Sequence, residues 1–219
     1  MTNQTVPIVK KILSANDELA NQNQDVLDTY GIHAINIMAS PGSGKTSVIL
    51  RTIQTLSKEI NIAVIEGDTA PVTIDSDKVS SLNIPVSQIN TGGECHLDAM
   101  MVRKGMEALD LSDLDLLIIE NVGNLVCPAA FRLGEHQNIV IASIPEGDDK
   151  PYKYPNIYRG IQALIINKID LMPYVDFDTE YFEAGIRALN PGVEIFKVSC
   201  KTGENFETWT DWVRTKIRK

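Results

Sequence analysis

The chain has 219 residues, 43% hydrophobic and 22% charged, a length and balance that suit one sizeable α/β domain and leave too little for two full ones. Its formal net charge of −9 argues against a general nucleic-acid binder, which carries a basic patch, and fits ordinary solubility. No apolar run reaches membrane-spanning length, the N-terminus shows no secretion signal, and the three cysteines, Cys95, Cys127 and Cys200, are expected as reduced thiols in a cytoplasm.

In chain order, residues 8–28 set Ile8, Ile12, Leu13, Leu19, Val26 and Leu27 among polar residues, a pattern that predicts an amphipathic helix stopped by Gly31. Short apolar runs then alternate with helical stretches. The runs cover 34–39, 62–66, 86–90, 114–120, 139–144, 163–167 and 194–199. Most are continuous in hydrophobicity rather than alternating, as strands covered on both faces are. The expected fold is therefore α/β: a mainly parallel sheet of about seven strands with helices on both faces. It is expected as one domain over 1–219, with 1–30 a helix packed on it or extending from it. Ligands of such sheets sit beyond the C-terminal strand ends, and every motif below falls at one.

The first motif is Ala39-Ser-Pro-Gly-Ser-Gly-Lys45-Thr46, between a strand and a predicted helix over 47–57. That is the context of the P-loop of nucleotide hydrolases. Gly42 and Gly44 allow backbone N–H groups, with Ser43 and Ser47 beside them, to face phosphate oxygens. The helix N-terminus adds positive potential. Lys45 is expected to reach the β- and γ-phosphates and Thr46 to ligate Mg²⁺. Ala39 stands where the consensus has its first glycine, which is tolerable only if that position needs no positive φ.

The second motif, Asn167-Lys168-Ile169-Asp170, ends the sixth run. A buried Asp170 carboxylate can accept from N1–H and the 2-amino group of guanine. Adenine lacks both donors and would leave that acid unpaired. The stem of Lys168 can lie along the base, and Asn167 can tie this loop to the phosphate loop. Ser199-Cys200-Lys201 is similar to the Ser-Ala-Lys loop of GTPases, where a backbone N–H meets guanine O6; Cys200 itself is expected to be small and buried. The third motif, Glu120-Asn121-Val122-Gly123, stands where GTPases end a strand in Asp-x-x-Gly. Glu120 is expected to hold Mg²⁺ through water and the Gly123 N–H to sense the γ-phosphate, with strand-end capping as the plainer alternative for Glu120. The expected chemistry is hydrolysis of GTP to GDP and phosphate.

Glu-Asn-Val-Gly-Asn-Leu-Val-Cys-Pro (120–128), Gly-Gly-Glu-Cys-His (92–96), Asp-Lys-Pro-Tyr-Lys-Tyr-Pro (149–155) and Glu-Gly-Asp (66–68) resemble the nickel-incorporation GTPases of hydrogenase maturation, in the SIMIBI class of P-loop GTPases. The resemblance runs from about residue 8 to the C-terminus. It implies a GTP-dependent homodimer that delivers nickel to the large subunit of [NiFe]-hydrogenase together with other nickel-insertion maturation proteins, with no role for nucleic acid or membrane. Related GTPases serve urease or cobalamin-dependent mutases. The urease type carries Cys-Pro-His where Cys127-Pro128-Ala129 stands here, and the mutase type lacks a Cys95-His96 pair. A non-catalytic module in which GTP only sets the dimer is the other alternative. Some members of the resembled family add an N-terminal Cys-rich or His-rich stretch, whereas the first cysteine here is Cys95 and His33 stands alone near the N-terminus.

Cys95 and His96 are adjacent at the start of a predicted helix over 97–109, where a thiol has a lowered pKa. Cys127 lies four residues past Gly123. Thiolate and imidazole suit Ni²⁺ or Zn²⁺, but the spacing alone favours a buried Cys127 and a surface His96. It is the resemblance that makes Cys95, His96 and Cys127 a metal site. Three ligands do not close a tetrahedral structural site, which points to water or a second protomer for the rest. Asp68 is expected to orient the attacking water or bind Mg²⁺ through water. Asp75 is either a helix N-cap or a further Mg²⁺ group. Lys150 and Lys153 are either a solvated pair or, as the resembled motif suggests, a contact to nucleotide or partner in a dimer. His136 is expected to be a satisfied surface histidine.

Overall fold

The computed structural model describes residues 8–69 and 84–217; Asp75 lies outside them. A long first helix, α1 (Ile8–Tyr30), leads into β1 (His33–Ala39), and Gly31, at φ 72, makes the turn between them. Then follow α2 (Lys45–Leu56), β2 (Ile62–Asp68), β3 (Val86–Asn90), α3 (Ala99–Glu107), β4 (Leu116–Glu120) and β5 (Gln137–Ser143). Two short helices, α4 (Lys150–Lys153) and α5 (Pro155–Arg159), precede β6 (Ala163–Asn167), α6 (Thr179–Leu189), β7 (Glu194–Lys197) and α7 (Phe206–Lys216).

The seven strands form one sheet in the order β3-β2-β4-β1-β5-β6-β7, with every neighbouring pair parallel. The chain leaves β1 toward β2 on one side and leaves β4 toward β5 on the other. The connections therefore diverge beside β1, where such sheets open a crevice beyond their strand ends.

Side-chain alternation along the strands sorts the core onto both faces. Ile35, Ile37 and Ala39 pack with Val48, Ile49 and Ile53 of α2 and Trp209 and Val213 of α7. Ala34, on the opposite face, packs with Leu27 of α1 and Val102 and Met106 of α3. Farther along that face Met38, Val140 and Leu164 meet Ile157 of α5 and Phe182 and Ile186 of α6. Burial on both faces is why these strands read as unbroken apolar runs. One polar chain crosses the second face: the Asn121 amide donates to Asn36 Oδ1 at 3.2 Å and the Asn36 amide to Asn138 Oδ1 at 2.8 Å.

Element limits differ from the sequence expectation in instructive ways. β2 carries the apolar run 62–66 two residues further, and Asp68, expected at the end of this strand, closes it paired with Asn90. α2 begins at Lys45, two residues earlier than expected. The helix expected over 97–109 forms only as Ala99–Glu107, because the Asp98 side chain accepts from the Met101 N–H at 2.7 Å and fixes the N-cap there.

Candidate nucleotide cleft and metal cluster

At the C-terminal edge of the sheet, residues 40–44 loop from β1 into α2. Gly44 is the helix N-cap at φ 95, and a Cβ there would collide with the Asn167 amide; only glycine gives both the conformation and the close approach. Ala39 closes β1, fully buried, and among the described residues Lys168 and Asn205 are the non-glycine residues at positive φ. The alanine in the consensus glycine position is therefore unstrained.

The loop borders a cleft of about 700 Å³ that also takes in Glu66, Asp68, Cys95, Glu120, Gly123 and Lys168. Inside it, the Thr46 hydroxyl lies 3.1 Å from Glu120 Oε1 and the Lys45 ammonium 3.6 Å from the same oxygen. Lys45 also donates to the main-chain carbonyl of Asn121. Glu120 is 3% exposed. A buried carboxylate beside a hydroxyl, with Asp68 at the next strand end, is a set of hard oxygen donors of the kind Mg²⁺ takes, so the residues fit that ion.

The base-loop residues meet at a second cleft of about 320 Å³, which shares Gly44 and Lys168 with the first and adds Asn167, Asp170, Cys200 and Lys201. Asn167 is the knot: its amide donates to Ser43 O at 3.0 Å while its Oδ1 accepts from the Cys200 N–H at 3.3 Å. Lys168 reaches Gly42 O at 2.6 Å, so here its ammonium is a second tie to the phosphate loop. Asp170 Oδ1 accepts from the Ser199 hydroxyl at 2.6 Å. Cys200 is half-buried. Burial pushes its thiol up to about 12, with Arg51 pulling down and Asp170 pushing up; it is a neutral thiol.

Lys150 and Lys153 part company. Both pair with Asp149, but Lys150, 3.9 Å from it, also borders a third cleft of about 380 Å³ with Pro41, Gly123, Glu146 and Tyr154, whereas Lys153 stays on the surface. Burial raises the Glu146 carboxyl above the usual range, against the lowering hydrogen bond from Ser143 and the charges of Lys150 and Lys168. His136 is mostly buried and bonded at both ring nitrogens, Nδ1 accepting from the Ala34 N–H at 2.9 Å and Nε2 lying 3.2 Å from Asp28.

Cys95, His96 and Cys127 come together: one ligand atom from each lies within 4.8 Å of the others. The His96 ring stacks on Phe131 with centroids 3.9 Å apart, and the Asn124 amide lies 3.6 Å from Cys127 Sγ. Two expectations are corrected. The first was three reduced thiols; Cys95 and Cys127 form a disulfide, Cα–Cα 6.2 Å, and only Cys200 is free among the described residues. A disulfide offers no thiolate, so bridging and metal binding exclude one another. The second was Cys95 at a helix N-terminus; it precedes the Asp98 cap by three residues and so lies outside the helix's first turn. Reduced, two thiolates and an imidazole are a soft set that suits Ni²⁺ or Zn²⁺.

Sequence reasoning gave no role of their own to three buried residues beside these sites, Glu66, Asn121 and Asn36. Each was legible as a polar residue inside or directly after an apolar strand run.

A phosphate loop at the crevice of a parallel sheet, tied to an Asn-Lys-x-Asp loop, defines a P-loop GTPase. The chain belongs to the family described as CobW/HypB/UreG, nucleotide-binding domain, whose profile matches residues 33–197. It is 44% identical over 206 residues to the hydrogenase maturation factor HypB of Azotobacter vinelandii, covering 94% of this chain and 68% of that protein. The crystal structure of HypB from Archaeoglobus fulgidus superposes with a TM-score of 0.86 at 41% identity, covering 92% of this chain and 98% of that one. That of Helicobacter pylori HypB in complex with nickel gives 0.87 at 34% identity, covering 94% and 98%.

Proposed function

We propose that the chain is a GTP-hydrolysing metallochaperone that assists nickel insertion into the large subunit of [NiFe]-hydrogenase, acting as a GTP-dependent homodimer with its metal site at or near the interface. The observation that carries this reading is the placement of Cys95. Its residue borders the phosphate cleft, while its sulfur belongs to the cluster with His96 and Cys127. Family membership and the nickel complex of the Helicobacter pylori protein support nickel as the cargo, with Zn²⁺ as an alternative occupant.

In this reading residues 1–219 act as one GTPase unit. The N–H groups of 42–47 and the Lys45 ammonium bind the β- and γ-phosphates and neutralise charge that grows at the transferring phosphoryl group. Thr46 and Glu120 would hold Mg²⁺, which would supply positive charge to neutralise the phosphates. Asp68 orients the attacking water, and Asp75 remains a candidate for the same task. Asp170 reads guanine N1–H and the 2-amino group, and the Cys200 N–H, Ser199 and Lys201 close the base site. Gly123 follows the γ-phosphate and carries Cys127 four residues on. Lys150, open to the cleft beside Gly123, contacts nucleotide or partner across the dimer; Lys153 lies at the rim.

Purified, reduced protein tests the reading. It is expected to release phosphate from GTP, to shift from monomer to dimer in the ultracentrifuge with Mg²⁺ and a non-hydrolysable GTP analogue, and to bind nickel. Cys127→Ala is expected to lose nickel while still turning over GTP. Nickel held equally by Cys127→Ala and by wild type would remove the cluster from the proposal.

A further inference from the structure

Between the phosphate cleft and the Cys95–His96 loop stands one buried side chain, Asn121, with no exposed surface. Its main chain belongs to the nucleotide side: the N–H donates to Ile37 O of β1 at 3.0 Å, and the carbonyl accepts from Lys45. Its side chain belongs to the other side. Oδ1 accepts from the Leu97 N–H at 3.1 Å and from the Val122 N–H at 2.9 Å, while the amide donates to Asn36. Leu97 directly follows His96. Its side chain is fully buried and seated on Gly67, where a Cβ would come within 2.6–2.8 Å of three Leu97 carbons. Gly67 is flanked by Glu66 and Asp68, and all three border the phosphate cleft. Leu97 is thus held from two directions by residues at the phosphate end, and it anchors two of the three metal-ligand candidates.

We propose that Asn121 is the positioning residue that transmits nucleotide state to the Cys95–His96 half of the metal cluster. The inference rests on the metallochaperone reading above. When phosphates occupy the cleft, they compete for the Lys45 ammonium, and the Asn121 carbonyl loses a charge-assisted donor. That carbonyl and the side-chain amide belong to one residue at the end of a rigid strand. A change in the peptide plane therefore carries Oδ1, the Leu97 N–H bonded to it, and His96 beyond. The other half of the cluster, Cys127, hangs from Gly123 on the same segment. Asn121 is the branch point from which both halves feel the same event, and coupling through such contiguous contacts is reciprocal between the sites.

Asn121→Ser separates this role from simple structural support. It keeps the main-chain carbonyl that Lys45 meets but shortens the side chain so that it no longer spans to Leu97. Asn138→Ala is the control: it damages the same chain of linked amides on the far side of β1 and touches neither Leu97 nor Lys45. The readout is nickel affinity, by competition with a chromophoric chelator and with thiols kept reduced by a phosphine, in GDP and in a non-hydrolysable GTP analogue. Wild type is expected to show a ratio between the two states of roughly 5- to 150-fold. Asn121→Ser is expected to shrink that ratio by about 2- to 30-fold, while Asn138→Ala keeps the wild-type ratio. A wild-type ratio above one that Asn121→Ser leaves intact, or that Asn138→Ala shrinks equally, overturns the role of Asn121 and leaves the metallochaperone reading standing. A wild-type ratio of one removes the nucleotide–metal coupling itself. Should Asn121→Ser not fold, the Leu97 amide of ¹⁵N-labelled wild type decides: its resonance is expected to move between the GDP and analogue forms, and a Leu97 that stays fixed while Gly123 moves contradicts the proposal.

Discussion

The phosphate cleft and the thiol cluster are neighbours built on opposite principles. The cleft is made largely of backbone and short side chains at strand ends, from stretches contiguous in sequence, and its parts are locked to one another. Asn167 binds both Ser43 and Cys200, Lys168 binds Gly42, and Glu120 meets Thr46 and Lys45. The cluster is assembled from two loops 32 residues apart, steadied by one ring stack and one amide, and its sulfurs have two exclusive fates, bridge or metal. On the proposed function the contrast has a reason: a site for a constant ligand can be rigid, whereas a site that takes up and releases cargo needs segments that can move. Four perturbations, from the largest expected effect to the smallest, break or sharpen that contrast.

Lys45→Ala strikes the rigid side, since no other cation in the loop takes over the phosphate charge. Turnover measured by phosphate release is expected to fall by about 10²- to 10³-fold or more, as on removing one such donor elsewhere; near-normal turnover would refute the phosphate-loop assignment. Asp170→Asn keeps the shape of the base site but replaces an acceptor with a donor. Calorimetry is expected to show GTP affinity lower by about 10- to 150-fold, the range for a hydrogen bond to a charged group, with xanthine nucleotides gaining. Equal GTP binding by mutant and wild type would take Asp170 out of the base site.

Gly67→Ala probes the seam between the two regions, because the new Cβ presses on Leu97. Overpacking of this kind costs about 1–3 kcal/mol, a drop of roughly 2–12 °C in Tm for a chain of this length. An unchanged melting temperature would show that Leu97 is not held there. Phe131→Leu acts on the cluster side alone. Losing the stack on His96 is expected to weaken nickel binding by about 2- to 12-fold, the worth of an aromatic pair, with GTP turnover unaltered. A matching loss of GTP turnover would mean that the two regions are not separable at this residue.

The same contrast explains what the sequence revealed. Gly42–Thr46 and Asn167–Asp170 were legible because each motif is local: backbone geometry and a strand end dictate residue types a few positions apart. The parallel sheet was legible because strands buried on both faces leave unbroken apolar runs. The cluster was not legible from spacing, since Cys95 follows β3 and Cys127 follows β4, the two strands that flank β2 in the sheet, and a resemblance had to join them. The pairing of their sulfurs was missed for the same reason, as compartment and cysteine count say nothing about which thiols approach. Cys95 was misplaced at a helix start because Asp98, a better cap, lies three residues on. Asn121 passed unremarked because a motif reading assigns roles to Glu120 and Gly123 and treats the residues between as spacers, whereas its partners Leu97 and Asn36 are distant in sequence.

The central claim is that a rigid nucleotide cleft controls a movable metal cluster. The most direct test is the nickel affinity of reduced wild-type protein measured twice, once saturated with GDP and once with a non-hydrolysable GTP analogue and Mg²⁺. The account predicts that the two values differ by roughly 5- to 150-fold; nickel bound with the same affinity in both nucleotide states would contradict it.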